Sequence, residues 1–208
     1  MLIIPPSTEI LDDINPARIM QNIEKIGRIC YKSEDRITDD SAEKFIRNII
    51  KSGHESVIEH EKISVRFICD RGVTHEIVRH RIASYSQEST RYCNYTKDKF
   101  GSELTFIRPC FWEEDSAAYE IWKQTMQASE DAYNALIEGG ATPEQARSVL
   151  PTSLKTEIAV TMDLREWRHF FRLRGSARSH PQMREVVVPL LVEFKKLLPL
   201  IFEDINVE

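Results

Sequence analysis

The sequence predicts an α+β fold, rich in helix, with a small, mostly antiparallel sheet. Three observations predict it. Apolar residues recur at helical spacing in several long segments, strict alternation is confined to short ones, and Pro, Gly and capping residues mark the borders between them. The 208 residues suffice for a sizeable core. They show no repeat, low-complexity segment or linker, so the expectation is one domain over residues 1–208.

Each element has its own signal. Asn15 followed by Pro16 reads as an N-cap and first helical residue, and Ile19, Ile23, Ile26 and Cys30 follow on one face. A second helix follows Asp40, with Phe45, Ile46, Ile49 and Ile50 as its stripe and Gly53 at its end. In EKISVRFICD, Ile63, Val65 and Phe67 alternate with Ser64, Arg66 and Ile68, which is a strand pattern. GVTHEIVRHR reads as a short helix. Ser116–Glu138 carries Trp122, Met126, Tyr133 and Ile137 as a helical stripe stopped by Gly139-Gly140. Thr142-Pro143-Glu144-Gln145 fits a capping box, opening a short helix that ends near Pro151. EIAVTM is a short apolar strand. Asp163 and Glu166 cap a helix with Trp167, Phe170, Phe171 and Arg174 at i, i+3, i+4 and i+7. The last helix begins near Pro181, and Pro189 is expected to kink or split it.

Composition narrows the function. The net charge of -5 and pI near 5.8 argue against a general nucleic-acid binder. The N-terminal stretch MLIIPPSTEILDDI lacks the basic and long apolar parts of a signal peptide, and no apolar run is long enough to cross a membrane. Cys30, Cys69, Cys93 and Cys110 form no C-x-x-C pair, so they read as reduced core thiols of a cytoplasmic protein.

Several chemistries fail on spacing. HESVIEH and HEIVRH miss the H-E-x-x-H that sets two imidazoles one helical turn apart, so no metal is expected. The seven glycines form neither a dinucleotide fingerprint nor a phosphate loop. Cys93 near Arg91, and Ser89 with His80 as its local base, lack the rest of a nucleophilic constellation. Anion binding survives. RHRIASYSQESTRY gathers Arg79, Arg81 and Arg91 among hydroxyl donors, and Arg147, Arg165 and Arg174 recur at element ends. From the residues alone this is a site for a phosphorylated or nucleotide-like ligand, with a solvated charge run as the competing reading.

The same stretch resembles the signature of the flavin-dependent thymidylate synthases, R-H-R followed by seven residues and a serine: Arg79-His80-Arg81 and Ser89, extended by Arg91 and Tyr92. The resemblance runs from GHESVIEH through ARSVLP to WRHFFRLR and HPQMRE. It implies a homotetramer that converts dUMP to dTMP, with methylenetetrahydrofolate as carbon donor and FAD reduced by NADPH. By position it implies dUMP contacts at Glu76, Ile77, Val78, Arg79, Gln87, Glu88, Ser89, Thr90, Arg91, Arg147 and Arg174. FAD contacts are implied at His54, Ser56, Arg79, His80, Arg81, Gln87, Asp163, Leu164, Arg165 and His169. Arg174 aligns with the catalytic residue that activates the uracil, with Arg178 as its rival because the segment before His180 is longer than in some relatives. Glu76, Ser86, Asp163 and His169 also depart from the residues relatives often carry. A non-catalytic nucleotide-binding regulator and an RNA-contacting protein are the alternative readings. No nucleic-acid or membrane partner is expected.

Overall fold

In the computed structural model, which describes residues 1–96 and 103–207, two short strands precede the first predicted helix: β1 (Leu2–Ile4) and β2 (Ser7–Ile10). Neither is long enough to display a period. Helix α1 (Pro16–Tyr31) starts where the cap predicts, with the Asn15 side chain accepting from the Arg18 N–H at 3.0 Å. Helix α2 (Ser41–Lys51) ends before Gly53, whose φ of 69° is a left-handed conformation natural to glycine. Strand β3 (Lys62–Asp70) buries Ile63, Val65 and Phe67 completely, as the alternation requires. Helix α3 (Arg71–Ile77) follows, capped by Asp70, whose carboxylate accepts from the Val73 N–H at 2.7 Å.

Strand β4 (Ala83–Gln87) lies inside the arginine-serine stretch, and β5 (Thr105–Ile107) follows the undescribed residues. Helix α4 (Ala117–Glu138) buries Trp122, Met126 and Tyr133. Helix α5 (Pro143–Ala146) carries the predicted box, in which Gln145 Oε1 accepts from the Thr142 N–H at 3.0 Å, and a 3-10 turn over Arg147–Val149 completes the segment. Strand β6 (Lys155–Asp163) leads directly into α6 (Leu164–Arg174), and Asp163 caps that helix by accepting from the Glu166 N–H at 2.8 Å. Helix α7 (Pro181–Leu197) is continuous with Pro189 inside it, so the expected split does not occur. Val186, Val187, Leu190 and Leu191 are buried on both sides of the proline. Packing there outweighs the lost backbone bond. Helix α8 (Pro199–Phe202) ends the described fold.

The sheet is small and mostly antiparallel, with strand order β2-β3-β6-β4. A separate parallel pair matches Leu2 with Thr105, Ile3 with Phe106 and Ile4 with Ile107. The chain divides into two compact units. The first comprises residues 1–8, 66–79 and 85–159, and the second residues 9–65, 80–84 and 160–208. The first unit has its core around Tyr95, Phe106, Tyr119, Trp122, Met126 and Tyr133. The core of the second is aromatic: Trp167, Phe170, Phe171, Phe194 and Phe202 meet with ring centroids 5.0–5.9 Å apart. Trp167 also donates its indole N–H to the Ile63 carbonyl at 2.9 Å, satisfying the polar end of a fully buried ring.

The cysteines correct one expectation. Cys69 is buried, and burial pushes its thiol pKa above the ordinary value, which makes it unreactive. Cys93 is half-buried, whereas Cys30 and Cys110 are exposed. Cys30 continues the period of α1, but it sits in the last turn, where the apolar face has run past the core. No described helix is long and apolar enough to cross a membrane.

Candidate functional site

Helix α6 carries most of the chemistry in the second unit. Its core stripe, Trp167, Phe170 and Phe171, fixes the rotation of the helix. Glu166, Phe170 and Arg174 then form one ridge at i, i+4 and i+8. His80 lies along that ridge. Its ring meets Phe170 at 5.0 Å, edge-on, and is 5.4 Å from the ring of His169. Nδ1 is 2.7 Å from Glu166 Oε1, and Nε2 accepts from the Arg174 Nε–H at 3.2 Å. An imidazole that accepts at Nε2 carries its proton on Nδ1, so it is neutral and donates to Glu166. Electrostatics agree: burial lowers the His80 pKa most, Arg174 and His169 lower it further, and Glu166 only partly opposes them. His80, Glu166 and His169 also bring three potential ligand atoms within 4.8 Å. Both nitrogens of His80 are engaged, one of them by the Arg174 cation, so that the carboxylate, imidazole and guanidinium form one hydrogen-bonded chain.

The next face of α6 holds a buried cation. Arg168 is 1% exposed. It donates to both oxygens of Asp204 at 2.7 Å, to Glu55 at 3.0 Å and to the Ile201 carbonyl. Arg172, one turn on, donates to Asp204 at 3.3 Å and lies within ion-pair distance of Glu55 at 3.6 Å. Glu55 belongs to the GHES turn, so this network ties the residues flanking His54 and Ser56 to α6.

Asp163, Arg165 and His169 line one cavity of about 470 Å³ with Glu55, Glu59, Ile82, Glu166 and Arg172. Arg165 is exposed and pairs with Glu59. Surface pairs of this kind are weak, which leaves the guanidinium exchangeable for a phosphate. Burial raises the Asp163 pKa, with its cap bond to the Glu166 N–H opposing. Leu164 is fully buried and its N–H donates to the Glu61 carbonyl at 3.0 Å. His54 stands apart from this cavity. Its Nδ1 is 2.9 Å from the Tyr31 hydroxyl, and it lines a different hollow of about 440 Å³ with Arg28, Lys32, Arg36 and Phe45. Ser56 and Arg81 are exposed.

The first unit holds the other predicted residues. Glu76 and Ile77 end α3, with Ile77 fully buried, and Val78 and Arg79 follow, exposed. Gln87, at the end of β4, donates its amide to Thr74 Oγ1 at 3.1 Å and Thr156 Oγ1 at 3.3 Å. Ser89 opens a turn. Its hydroxyl accepts from the Arg91 N–H at 3.3 Å and its carbonyl from the Cys93 N–H at 3.0 Å, while Thr90 is buried. The Arg91 guanidinium reaches Glu144 on α5 at 3.0 Å, one helical turn from exposed Arg147. These contacts bring Arg91 and Arg147 into one neighbourhood.

Glu88 accepts from Tyr95 at 2.7 Å and Lys155 at 3.1 Å, and Lys155 also bonds Glu157 at 2.7 Å. Burial works against the Lys155 ammonium, but these bonds outweigh it and its pKa is raised. The carboxylate of Glu88 is thereby balanced by a fixed cation. Arg66, Lys155, Glu88 and Glu157 line a further cavity of about 660 Å³.

Sequence reasoning missed Glu166 and Arg168 as site residues. Glu166 was read only as a cap, although its i, i+4, i+8 relation to Phe170 and Arg174 was a usable signal. Arg178 is exposed whereas Arg174 is half-buried and bonded, which favours Arg174. With both nitrogens of His80 engaged, it is not available as a base for Ser89.

Residues 14–200 match the family model described as thymidylate synthase complementing protein. A flavin-dependent thymidylate synthase of Pyrococcus furiosus is 41% identical over 171 residues, covering 82% of this chain and 69% of the relative. The namesake from Geobacter sulfurreducens is 36% identical over 185 residues, 86% and 78% of the two chains. Among solved structures, a UMP/dUMP methylase of Streptomyces cacaoi bound to 5-Br dUMP superposes with a TM-score of 0.78 at 22% identity. That likeness spans 98% of this chain and 96% of the other, and it establishes the fold.

Proposed function

The chain belongs to the flavin-dependent thymidylate synthases and is an enzyme of that methyltransferase family, and on that premise we propose that it methylates dUMP to dTMP, with methylenetetrahydrofolate as carbon donor and FAD reduced by NADPH as hydride source. The whole 208-residue chain acts as one functional domain, in the cytoplasm, as a homotetramer.

The observation that carries this reading is the guanidinium of Arg174, fixed at the end of α6 by a neutral histidine. To accept a one-carbon unit, C5 of uracil must become a nucleophile, and negative charge then builds on the N3, O2 and O4 side of the ring. An arginine held there stabilises that charge without giving up a proton, because it stays protonated at any working pH. A preorganised donor of this kind is worth roughly 3–4 kcal/mol. Arg79, Arg91 and Arg147, with the Ser89 hydroxyl, supply donors suited to the nucleotide phosphate. Glu76, Gln87 and the balanced Glu88 suit the sugar and base. Ile77, Val78 and Thr90 contribute through the backbone or by shaping the surface.

The donor set of the second unit fits FAD. Arg165 offers a guanidinium to a pyrophosphate, and Asp163 and His169 offer partners for ribose and adenine around a shared cavity. His54, Ser56, Arg79, His80, Arg81, Gln87 and Leu164 complete the proposed contacts. A cavity of about 470 Å³ is small for a whole dinucleotide, in keeping with a cofactor shared between subunits. When bound, the flavin supplies the redox chemistry, and the chain's own residues bind and orient the two ligands. The test is an anaerobic assay of dTMP formation from dUMP, methylenetetrahydrofolate, FAD and NADPH. A yellow protein that forms dTMP supports the reading, and a colourless protein that binds dUMP without turnover refutes it.

A further inference from the structure

Glu166 and Arg174 are eight residues apart on one ridge of α6, roughly 12 Å along the axis. They are beyond direct contact, yet one imidazole joins them. His80 is 4% exposed, its ring is pinned edge-on against Phe170, and its two nitrogens face opposite ways along the ridge, Nδ1 toward Glu166 and Nε2 toward Arg174. This has the form of a carboxylate that fixes the tautomer and orientation of a histidine, which in turn presents a lone pair to a third group. The third group here is the guanidinium to which the reaction is assigned. We propose that Glu166 is a positioning residue: through His80 it holds the Arg174 guanidinium in its working orientation.

The chemistry accounts for each member. An arginine at a helix end has four rotatable side-chain bonds, and a single acceptor on Nε removes much of that freedom. A neutral histidine provides the acceptor without neutralising the charge, whereas a carboxylate in direct contact would quench the field meant for the substrate. Glu166 keeps the proton on Nδ1, so that Nε2 accepts rather than donates. The inference rests on the assignment of Arg174 to uracil activation.

The experiment compares Glu166→Ala and Glu166→Gln with the wild type at saturating FAD, following kcat and KM for dUMP against pH. It also follows the ¹⁵N shifts of labelled histidines, with His80→Gln identifying the His80 resonances. In the wild type the His80 signal should be that of a neutral Nδ1–H ring. Glu166→Ala should lose that tautomer and lower kcat about 10- to 100-fold, with KM for dUMP changed by less than about twofold. Glu166→Gln, whose amide oxygen still accepts from Nδ1–H, should restore most of kcat.

The ionisable groups acting on His80 are Glu166, Arg174 and His169. Of these Glu166 alone favours the imidazolium, so removing its charge should move the acid limb of kcat to lower pH in Glu166→Gln. A merely structural role moves none of these readouts in that pattern. An Nε2–H or charged His80 in the wild type overturns the inference, as does wild-type kcat in Glu166→Ala or a loss that Glu166→Gln does not rescue. Arg174→Ala at the wild-type rate overturns the premise instead. An inactive Arg174→Ala beside a fully active Glu166→Ala overturns this inference alone.

Discussion

Replacing Arg168 by Met should lower stability by an amount the structure allows to be set. The guanidinium is 1% exposed and bonds Asp204 twice at 2.7 Å, Glu55 at 3.0 Å and the Ile201 carbonyl. Hydrogen bonds to charged groups contribute roughly 1.5–3 kcal/mol each, but they do not add here, because desolvating the guanidinium opposes them. Removing one partner of a buried ion pair costs about 3–5 kcal/mol. The Asp204 side chain is 44% exposed and recovers water, whereas Glu55 at 17% recovers little. The low end, about 3 kcal/mol, is therefore expected. At this chain length that corresponds to a Tm lower by about 6–12 °C, read by thermal unfolding. The bonds to Arg168 hold the Asp204 carboxyl below its ordinary pKa of 3.8, against a smaller opposing effect of burial. A depressed carboxylate adds stability that is full above its unfolded pKa and lost as pH falls through the folded one. The gap between Arg168→Met and wild type should accordingly narrow below about pH 4. A variant melting within about 1 °C of wild type at neutral pH, or a gap that widens in acid, would falsify this account.

Arg174→Ala should reduce dTMP formation by about 10²–10³-fold with flavin content unchanged, while Arg178→Ala should stay near the wild-type rate. If Arg178→Ala proves the inactive variant, the assignment belongs there. Ser89→Ala should weaken dUMP affinity or activity without abolishing turnover, and complete loss at intact dUMP affinity would point back to a nucleophile. Asp163→Ala should cost about 1 kcal/mol through the lost cap. Asp163→Asn keeps an acceptor for the Glu166 N–H. Because burial raises the Asp163 pKa, the ionised group opposes folding, so Asp163→Asn should melt at or above the wild-type temperature at neutral pH. A lower Tm for Asp163→Asn would contradict that sign. In Gly175→Ala, the new Cβ would lie 2.6 Å from Val207 Cγ1 and 2.7 Å from the Phe171 carbonyl oxygen. A loss of about 1–3 kcal/mol by denaturant titration is expected, and a neutral result would mean the helix end relaxes freely.

Much of the fold was legible because its signals are local. Asn15-Pro16, Thr142-Pro143 and Asp163 each start a helix through bonds spanning three residues, and the alternation of Ile63, Val65 and Phe67 reports burial directly. The strands β1, β2 and β5, of three or four residues, carry too few positions for a period to emerge. Strand β4 was hidden by its polar composition, since in Ala83–Gln87 only Ala83 and Tyr85 alternate with the serines, too few positions for a period to stand out. The resemblance located the arginine-serine stretch and Arg174 together, which composition and spacing alone left as an anion cradle of unspecified ligand.

The partners within the site were beyond reach for a physical reason. Helix α6 has three working faces in eleven residues. One enters the aromatic core, one turns Arg168 and Arg172 toward Asp204 and Glu55, and one sets the ridge that His80 follows. Periodicity resolves the first face because burial demands apolar residues at fixed intervals. The other two are polar, and a polar residue on a helix looks the same in sequence whether it faces water or a partner. Its identity is set by residues 86, 94 and 113 positions away for Glu166, Arg174 and Arg168 respectively. Once α6 is rotated by its aromatic stripe, however, Glu166 and Arg174 are forced onto one line with Phe170, and a ring packed on Phe170 must lie between them. The core therefore fixes the geometry of the arginine: the same burial that stabilises Trp167 and Phe171 sets the direction from which His80 can reach the Arg174 guanidinium. A substitution in that stripe such as Phe170→Ala should disturb the arginine as well as stability, lowering kcat beyond what a simple loss of folded protein explains. Activity that falls only in proportion to the folded fraction would show that the ridge and the core are independent.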